Sequence, residues 1–137
     1  MESVVIVDVD GTLAIRNGRR PFEWSLVNTD SPNIAVVALV NDLVSLGQRI
    51  VFVTGREEWL RPETEDFIRR HVLGSHSLFM RPNGDFSSDV EVKRQIFQNQ
   101  IEGKFAVRFV LDDRDRVVHF WRHELGLPTW QVGEGDF

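Results

Sequence analysis

An α/β fold with a mainly parallel central sheet and helices on both faces is predicted by three observations. Short apolar, β-branched runs recur at residues 4–7, 50–53 and 105–111. Each is followed by a segment whose apolar residues repeat with helical spacing. The first two runs are apolar without interruption, which marks strands covered on both faces. The length of 137 residues fits one domain, residues 1–137.

The elements follow in order. The opening strand, residues 4–9, ends in Asp8 and Asp10, and Gly11 then turns the chain. Ligands of open α/β sheets bind beyond the carboxyl ends of the strands, so both acids emerge where a ligand should sit. Two neighbouring carboxylates repel unless a cation or a phosphoryl group stands between them. The bland alternative is an ordinary Asp-Gly turn. Residues 13–31 lack helical spacing and contain Asn17-Gly18, a hairpin signal, with Arg16, Arg19, Arg20 and Trp24 around it. A flap beside the mouth of the site is expected there; a solvated surface hairpin is the alternative.

Asp30-Ser31-Pro32 reads as a helix start, with Val36, Leu39, Val40 and Leu43 inward and Gly47 as the stop. The second strand, residues 50–53, runs into Thr54-Gly55-Arg56. A helix over about 63–72 and a short strand at 77–80 follow, then a loop opened by Arg81. Residues 89–101 read as one helix with Val92, Ile96 and Phe97 inward and Lys93 in its first turn. A cation is unfavourable near a helix N-terminus, so something must compensate it. The strand at 105–111 ends in Asp112-Asp113-Arg114, and two carboxylates at a strand end again call for a cation. A last helix points Val117, Val118, Trp121 and Leu125 inward, and a strand at 129–132 closes the chain.

Composition narrows the function. The net charge of −5 argues against a protein that wraps a long duplex, though not against one that holds a few nucleotides. There is no cysteine, which removes thiol catalysis, disulfides and thiolate metal sites. No run is long enough to cross a bilayer and no signal peptide precedes the first strand, so the reading is cytosolic. Lys93 and Lys104 stand against fourteen arginines, and a lysine kept in such a chain draws suspicion. His119 and His123 have metal-ligand spacing but no third ligand, so a solvated face is the better reading. Trp24 and Trp59 could stack on a base, or simply close over the core.

The string DVDGTL, with Thr54, Lys93 and Asp112-Asp113 following in order, resembles the haloacid dehalogenase (HAD) phosphohydrolase superfamily. The resemblance implies a three-layer Rossmann-like fold. It implies Asp8 as nucleophile, forming an aspartyl-phosphate, and Asp10 as general acid and base. Thr54 and Lys93 would complete the catalytic set. Mg²⁺ would be held by Asp8, the Asp10 backbone carbonyl, and Asp112 and Asp113, with Asp112 favoured as the direct ligand. Neither inter-strand gap is long enough for a large cap domain, so the flap over about 13–31 should leave an open cleft.

The strings DVDGTLA, NGR, TGRE, the Arg-x-x-Gly-Asp loop, DDR-x-x-VV-x-x-WR and WQV…GDF are similar to the 3′-phosphatase domains of T-even phage-type polynucleotide kinase–phosphatases. That resemblance adds Arg19, Gly55, Arg56, Arg81, Asp89 and Arg114 as substrate-binding residues. It implies Mg²⁺-dependent removal of 3′-phosphates from DNA or RNA ends in end healing, and leaves 2′,3′-cyclic ends open. A 5′-kinase or a ligase of the same pathway is the implied partner. No G-x-x-x-x-G-K-[ST] string occurs, so no kinase site is expected in this chain. The alternatives are a HAD phosphatase acting on nucleotides or other small phosphomonoesters, and a non-catalytic phospho-acceptor module. The module is disfavoured because receivers place the acid pair first and the acceptor on a later strand.

Overall fold

A computed structural model describes all 137 residues. Five parallel strands form the sheet in the order β5-β4-β1-β6-β7. They are β1 (Glu2–Val7), β4 (Arg49–Glu57), β5 (Ser77–Arg81), β6 (Phe105–Asp112) and β7 (Thr129–Gln131). The central strand explains the apolar run: Val4, Val5, Ile6 and Val7 are all buried. Val5 and Val7 pack on one face with Val36 and Val40 of α1 (Ile34–Ser45) and Phe67 and Ile68 of α2 (Arg61–His71). Val4 and Ile6 pack on the other with Val92 and Ile96 of α3 (Asp89–Ile96) and Val117 of α4 (Asp115–His119). Each such side chain contributes about 1.5–3 kcal/mol on burial.

The topology places the site. From β1 the chain moves outward through α1 and α2 to β4 and β5. It then returns through α3 to β6 on the other side of β1. The strand order therefore reverses beside β1, and the crevice beyond its carboxyl end is where such folds bind ligands.

Several sequence expectations need correction. The flap is not a tight hairpin at Asn17-Gly18. It is a two-residue ribbon, β2 (Ala14–Ile15) against β3 (Ser31–Pro32), bridged by a 3₁₀ turn at Trp24–Thr29. Asp30-Ser31-Pro32 does not start α1, because Ser31 and Pro32 are used in that ribbon and Asp30 is buried against two arginines; Asn33 stands at the cap. Leu39 of α1 faces outward. The helix expected over 89–101 is α-helical only to Ile96. It then widens into a π turn, Phe97–Ile101, closed by the Glu102 N–H on the Phe97 carbonyl. The last helix does the same at Phe120–Glu124. His119 and His123 are exposed, as expected, with their ring centroids 4.6 Å apart and their planes tilted by 39°.

Candidate active site

Asp8 leaves the end of β1 and is buried among charged groups. The turn after it is tight: the N–H groups of Thr12, Leu13 and Ala14 all donate to the Val9 carbonyl. Gly11 allows this, with φ +81°, and a Cβ there would collide with the Asp113 carboxylate. Lys93 Nζ donates to Asp8 Oδ1 at 2.8 Å and to Asp112 Oδ2 at 2.9 Å. Thr12 Oγ1 donates to the other Asp8 oxygen at 3.1 Å. Lys93 sits in the second turn of α3, not the first. Its compensation is this pair of carboxylates, which hold its ammonium well above the usual lysine range despite complete burial.

The oxygens of Asp8, Asp112 and Asp113 come within 4.8 Å of one another. One ammonium does not balance three carboxylates. Burial first, and the neighbouring Asp112 second, push the Asp8 carboxyl well above its ordinary range; the same two causes raise Asp113. A divalent cation fits this deficit of charge and this all-oxygen donor set. The Asp10 carbonyl oxygen accepts no hydrogen bond within the fold and is free to join them. The two members of the late acid pair differ in how far their oxygens are already committed. Asp112 Oδ2 already accepts from Lys93 and from the Trp121 indole at 3.1 Å. Its Oδ1 accepts the backbone N–H groups of Asp113 and Arg114. Asp113 Oδ1 lies 3.4 Å from the Thr12 hydroxyl, whose one proton is better directed at Asp8, so its lone pairs are less committed than those of Asp112.

Asp10 projects beside Asp8 and is gripped by two guanidinium groups. Arg56 donates to both its oxygens, Nε at 3.0 Å and Nη2 at 2.7 Å, and Arg19 Nη2 adds a bond at 3.1 Å. Sequence reasoning missed what holds those arginines. Asp30 receives Arg19 Nε at 2.7 Å and Nη2 at 2.9 Å, and Arg56 Nη2 at 3.1 Å. No local signal marked Asp30 for this role, since Asp30-Ser31-Pro32 reads as a helix start. Both guanidiniums also lie over the Trp24 ring, at 5.3 Å and 5.9 Å from its centroid. Every N–H of Arg19 has an acceptor, the last two being the Arg20 and Pro21 carbonyls. Arg56 is 2% exposed and also donates to Thr64. Both arginines hold Asp10; Arg19 also lines the cavity, and Arg56 does not. Thr54 is buried; its hydroxyl accepts the Arg56 N–H at 3.2 Å and keeps its own proton free.

A second charged ladder closes the opposite wall. Asp89, at the start of α3, accepts Arg81 Nη2 and Arg114 Nη1, each at 2.8 Å. Arg81 Nε also donates to the Gly55 carbonyl at 2.7 Å. A Cβ on Gly55 would stand 2.6 Å from Asp89 Oδ1, so glycine is what lets this ladder approach the end of β4. Arg114 keeps N–H groups without partners and faces the cavity. The cavity measures about 930 Å³ and is lined by Asp8, Asp10, Asp113, Lys93, Arg19, Gly55, Arg81, Asp89 and Arg114 among others. Thr54 and Arg56 lie behind that wall.

A parallel sheet with a buried acid at the switch point, a second acid two residues on, a lysine and a late acid pair define a phosphatase of the HAD class. The family described as Polynucleotide kinase PNKP phosphatase domain matches residues 2–137, and the chain belongs to that family. A relative from Autographa californica nuclear polyhedrosis virus, named "Putative bifunctional polynucleotide kinase/RNA ligase", is 34% identical over 128 residues, 91% of this chain and 18% of the relative. Two solved structures, titled "Structure of Pnkp1/Rnl/Hen1 complex" and "Structure of the Pnkp1/Rnl/Hen1 RNA repair complex", each match at 38% identity and a TM-score of 0.93. They cover 100% and 99% of this chain, which spans only 48% and 44% of theirs. The chain is thus similar to less than half the length of the relatives it matches.

Proposed function

We propose that this domain removes the 3′-phosphate from DNA or RNA ends in a Mg²⁺-dependent reaction through an aspartyl-phosphate on Asp8. The observation that carries the chemistry is the Asp8 environment. One carboxylate, held by Lys93 and Thr12, stands at the head of a cavity that Asp10 and Arg114 also line. An Asp8 oxygen attacks phosphorus and the bond to the 3′ oxygen breaks. Asp10 gives that oxygen its proton. Asp10 then takes a proton from the water that attacks the acyl phosphate, and inorganic phosphate leaves. Lys93, which lines the cavity, offsets charge on the phosphoryl oxygens, while Thr54 holds the turn behind the wall by accepting the Arg56 N–H. Arg114 offers the free guanidinium for the incoming dianion, while Arg19 and Arg56 keep Asp10 in line.

The residues that would hold Mg²⁺ are Asp8, Asp113 and the Asp10 carbonyl, with Asp112 fixing Lys93 and the turn behind them. The cation would supply positive charge to a dianion that must approach three carboxylates. Family membership and the open cavity support a polynucleotide end over a small phosphomonoester. A 5′-kinase or a ligase active in the same repair is proposed as the functional partner. No helix is long and apolar enough to cross a membrane. The test is phosphate release from matched oligonucleotides bearing a 3′- or a 5′-phosphate, with Mg²⁺ or with EDTA. Release from 3′ ends alone, abolished by EDTA, is expected. Equal rates on both ends, or faster rates on free mononucleotides, would replace this reading with the small-phosphomonoester one.

A further inference from the structure

Two phenylalanines at the mouth of the cavity are used by nothing described so far. Phe22 is 77% exposed and Phe86 is 89% exposed. Both line the reaction cavity, and both line a second cavity of about 360 Å³ beside it, together with Arg81, Asp89 and Arg114. Single exposed apolar residues are unremarkable. Here two large rings converge on the same two adjoining cavities.

Each ring is carried by backbone that a site arginine clamps. Arg19 Nη1 donates to the Arg20 and Pro21 carbonyls immediately before Phe22. Arg81 Nη1 donates to the Asp85 and Ser87 carbonyls on either side of Phe86. Phe22 also rests edge-on against Trp24, 6.1 Å between centroids, and Trp24 lies on the Arg19 guanidinium. The exposure is therefore built into the frame of the site. A phenylalanine ring cannot bind phosphate; it offers only an apolar π face, which is what a nucleobase stacks on.

We infer that Phe22 and Phe86 form a base-stacking subsite for the nucleotide that carries the 3′-phosphate. The inference rests on the polynucleotide reading above. The tryptophans weighed from the sequence do not fill this role: Trp24 is committed beneath two arginines, and Trp59 does not line either cavity. Because every base has a π face, the subsite should be tolerant of sequence but should require a base.

The test uses 3′-phosphorylated dinucleotides with and without the base on the terminal sugar. For the unaltered protein, KM should be about ten-fold higher on the abasic end, with kcat little changed. The F22A/F86A variant should raise KM on the base-bearing end by a similar factor and leave the abasic end unchanged. F22L/F86L should behave like the alanine variant, and F22W/F86W should restore KM. Both rings are exposed, so folding should be unaffected, and the melting temperature checks it. An unchanged KM in F22A/F86A, an equal rise on both ends, or full retention by the leucine variant overturns the stacking subsite. Absence of phosphate release from either 3′ end by the unaltered protein instead overturns the polynucleotide reading itself.

Discussion

Replacing Lys93 by Met removes the one ammonium from the acid cluster while keeping the length of the side chain. Lys93 Nζ lies 2.8 Å from Asp8 and 2.9 Å from Asp112, with side-chain exposures of 3%, 8% and 2% for the three groups. Breaking a buried pair by removing one partner costs about 3–5 kcal/mol, because the other charge is left uncompensated. Here two carboxylates are left, and Asp113 adds a third nearby. Asp8 can relieve part of the cost by taking up a proton, since its carboxyl is already pushed upward. The lower end of the range, about 3 kcal/mol, is therefore the expectation at neutral pH. For a chain of this size that lowers the melting temperature by roughly 10 °C. Thermal unfolding followed by circular dichroism in EDTA reads it, and phosphate release in Mg²⁺ reads the accompanying loss of activity. Burial between two carboxylates puts both stability and activity at stake. A Lys93→Met protein that melts with the unaltered one in EDTA would refute Lys93 as the counter-charge.

Mg²⁺ should stabilise the fold more as pH rises. The Asp8 carboxyl is raised above its unfolded value, so its contribution is fully present below that value and is lost as pH climbs through the folded one. The melting-temperature gain from Mg²⁺ should thus be larger near pH 8 than near pH 5; an equal gain would mean the cation binds elsewhere. Gly55→Ala would press a Cβ against Asp89 and part the Arg81–Asp89–Arg114 ladder, so kcat/KM should fall by about 100-fold with little change in melting temperature. Normal kinetics in that variant would show that the ladder does not shape the site. Asp30→Asn leaves Arg19 and Arg56 short of charge behind Asp10, and should lower kcat with KM nearly unchanged; a change confined to KM would mean that these arginines bind substrate instead.

The strands were legible because buried parallel strands must be apolar on both faces: Val4 to Val7 and Ile50 to Val53 leave no other reading. The helices beneath them followed from Val36 and Val40, and from Val92 and Ile96, at helical spacing. Asp8, Asp10 and Asp112-Asp113 were visible because charged residues at the ends of such strands have no structural reason to be there, and Lys93 because a cation near a helix start needs compensation. The flap was not legible. Asn17-Gly18 and Asp30-Ser31-Pro32 carry local signals, but a long-range demand overrides them: Asp30 must neutralise Arg19 and Arg56. The difference in free lone pairs between Asp112 and Asp113 was likewise beyond the sequence, since it depends on which oxygens the Trp121 indole and two backbone N–H groups have already taken. The same limit hid the acceptors of Arg19 and Arg56, which Asp10 and Asp30 supply from distant points of the chain.

The central claim is that Asp8 attacks phosphorus. It is tested most directly by acid-quenching the protein during turnover of a 3′-phosphorylated oligonucleotide in Mg²⁺ and mapping any phosphoryl group by peptide mass spectrometry. The account predicts one phosphoryl group on the peptide that contains Asp8, absent in EDTA and absent in Asp8→Asn, which should also release no phosphate. Phosphate release by a folded Asp8→Asn protein, or a phosphoryl group mapped to another residue, would contradict it.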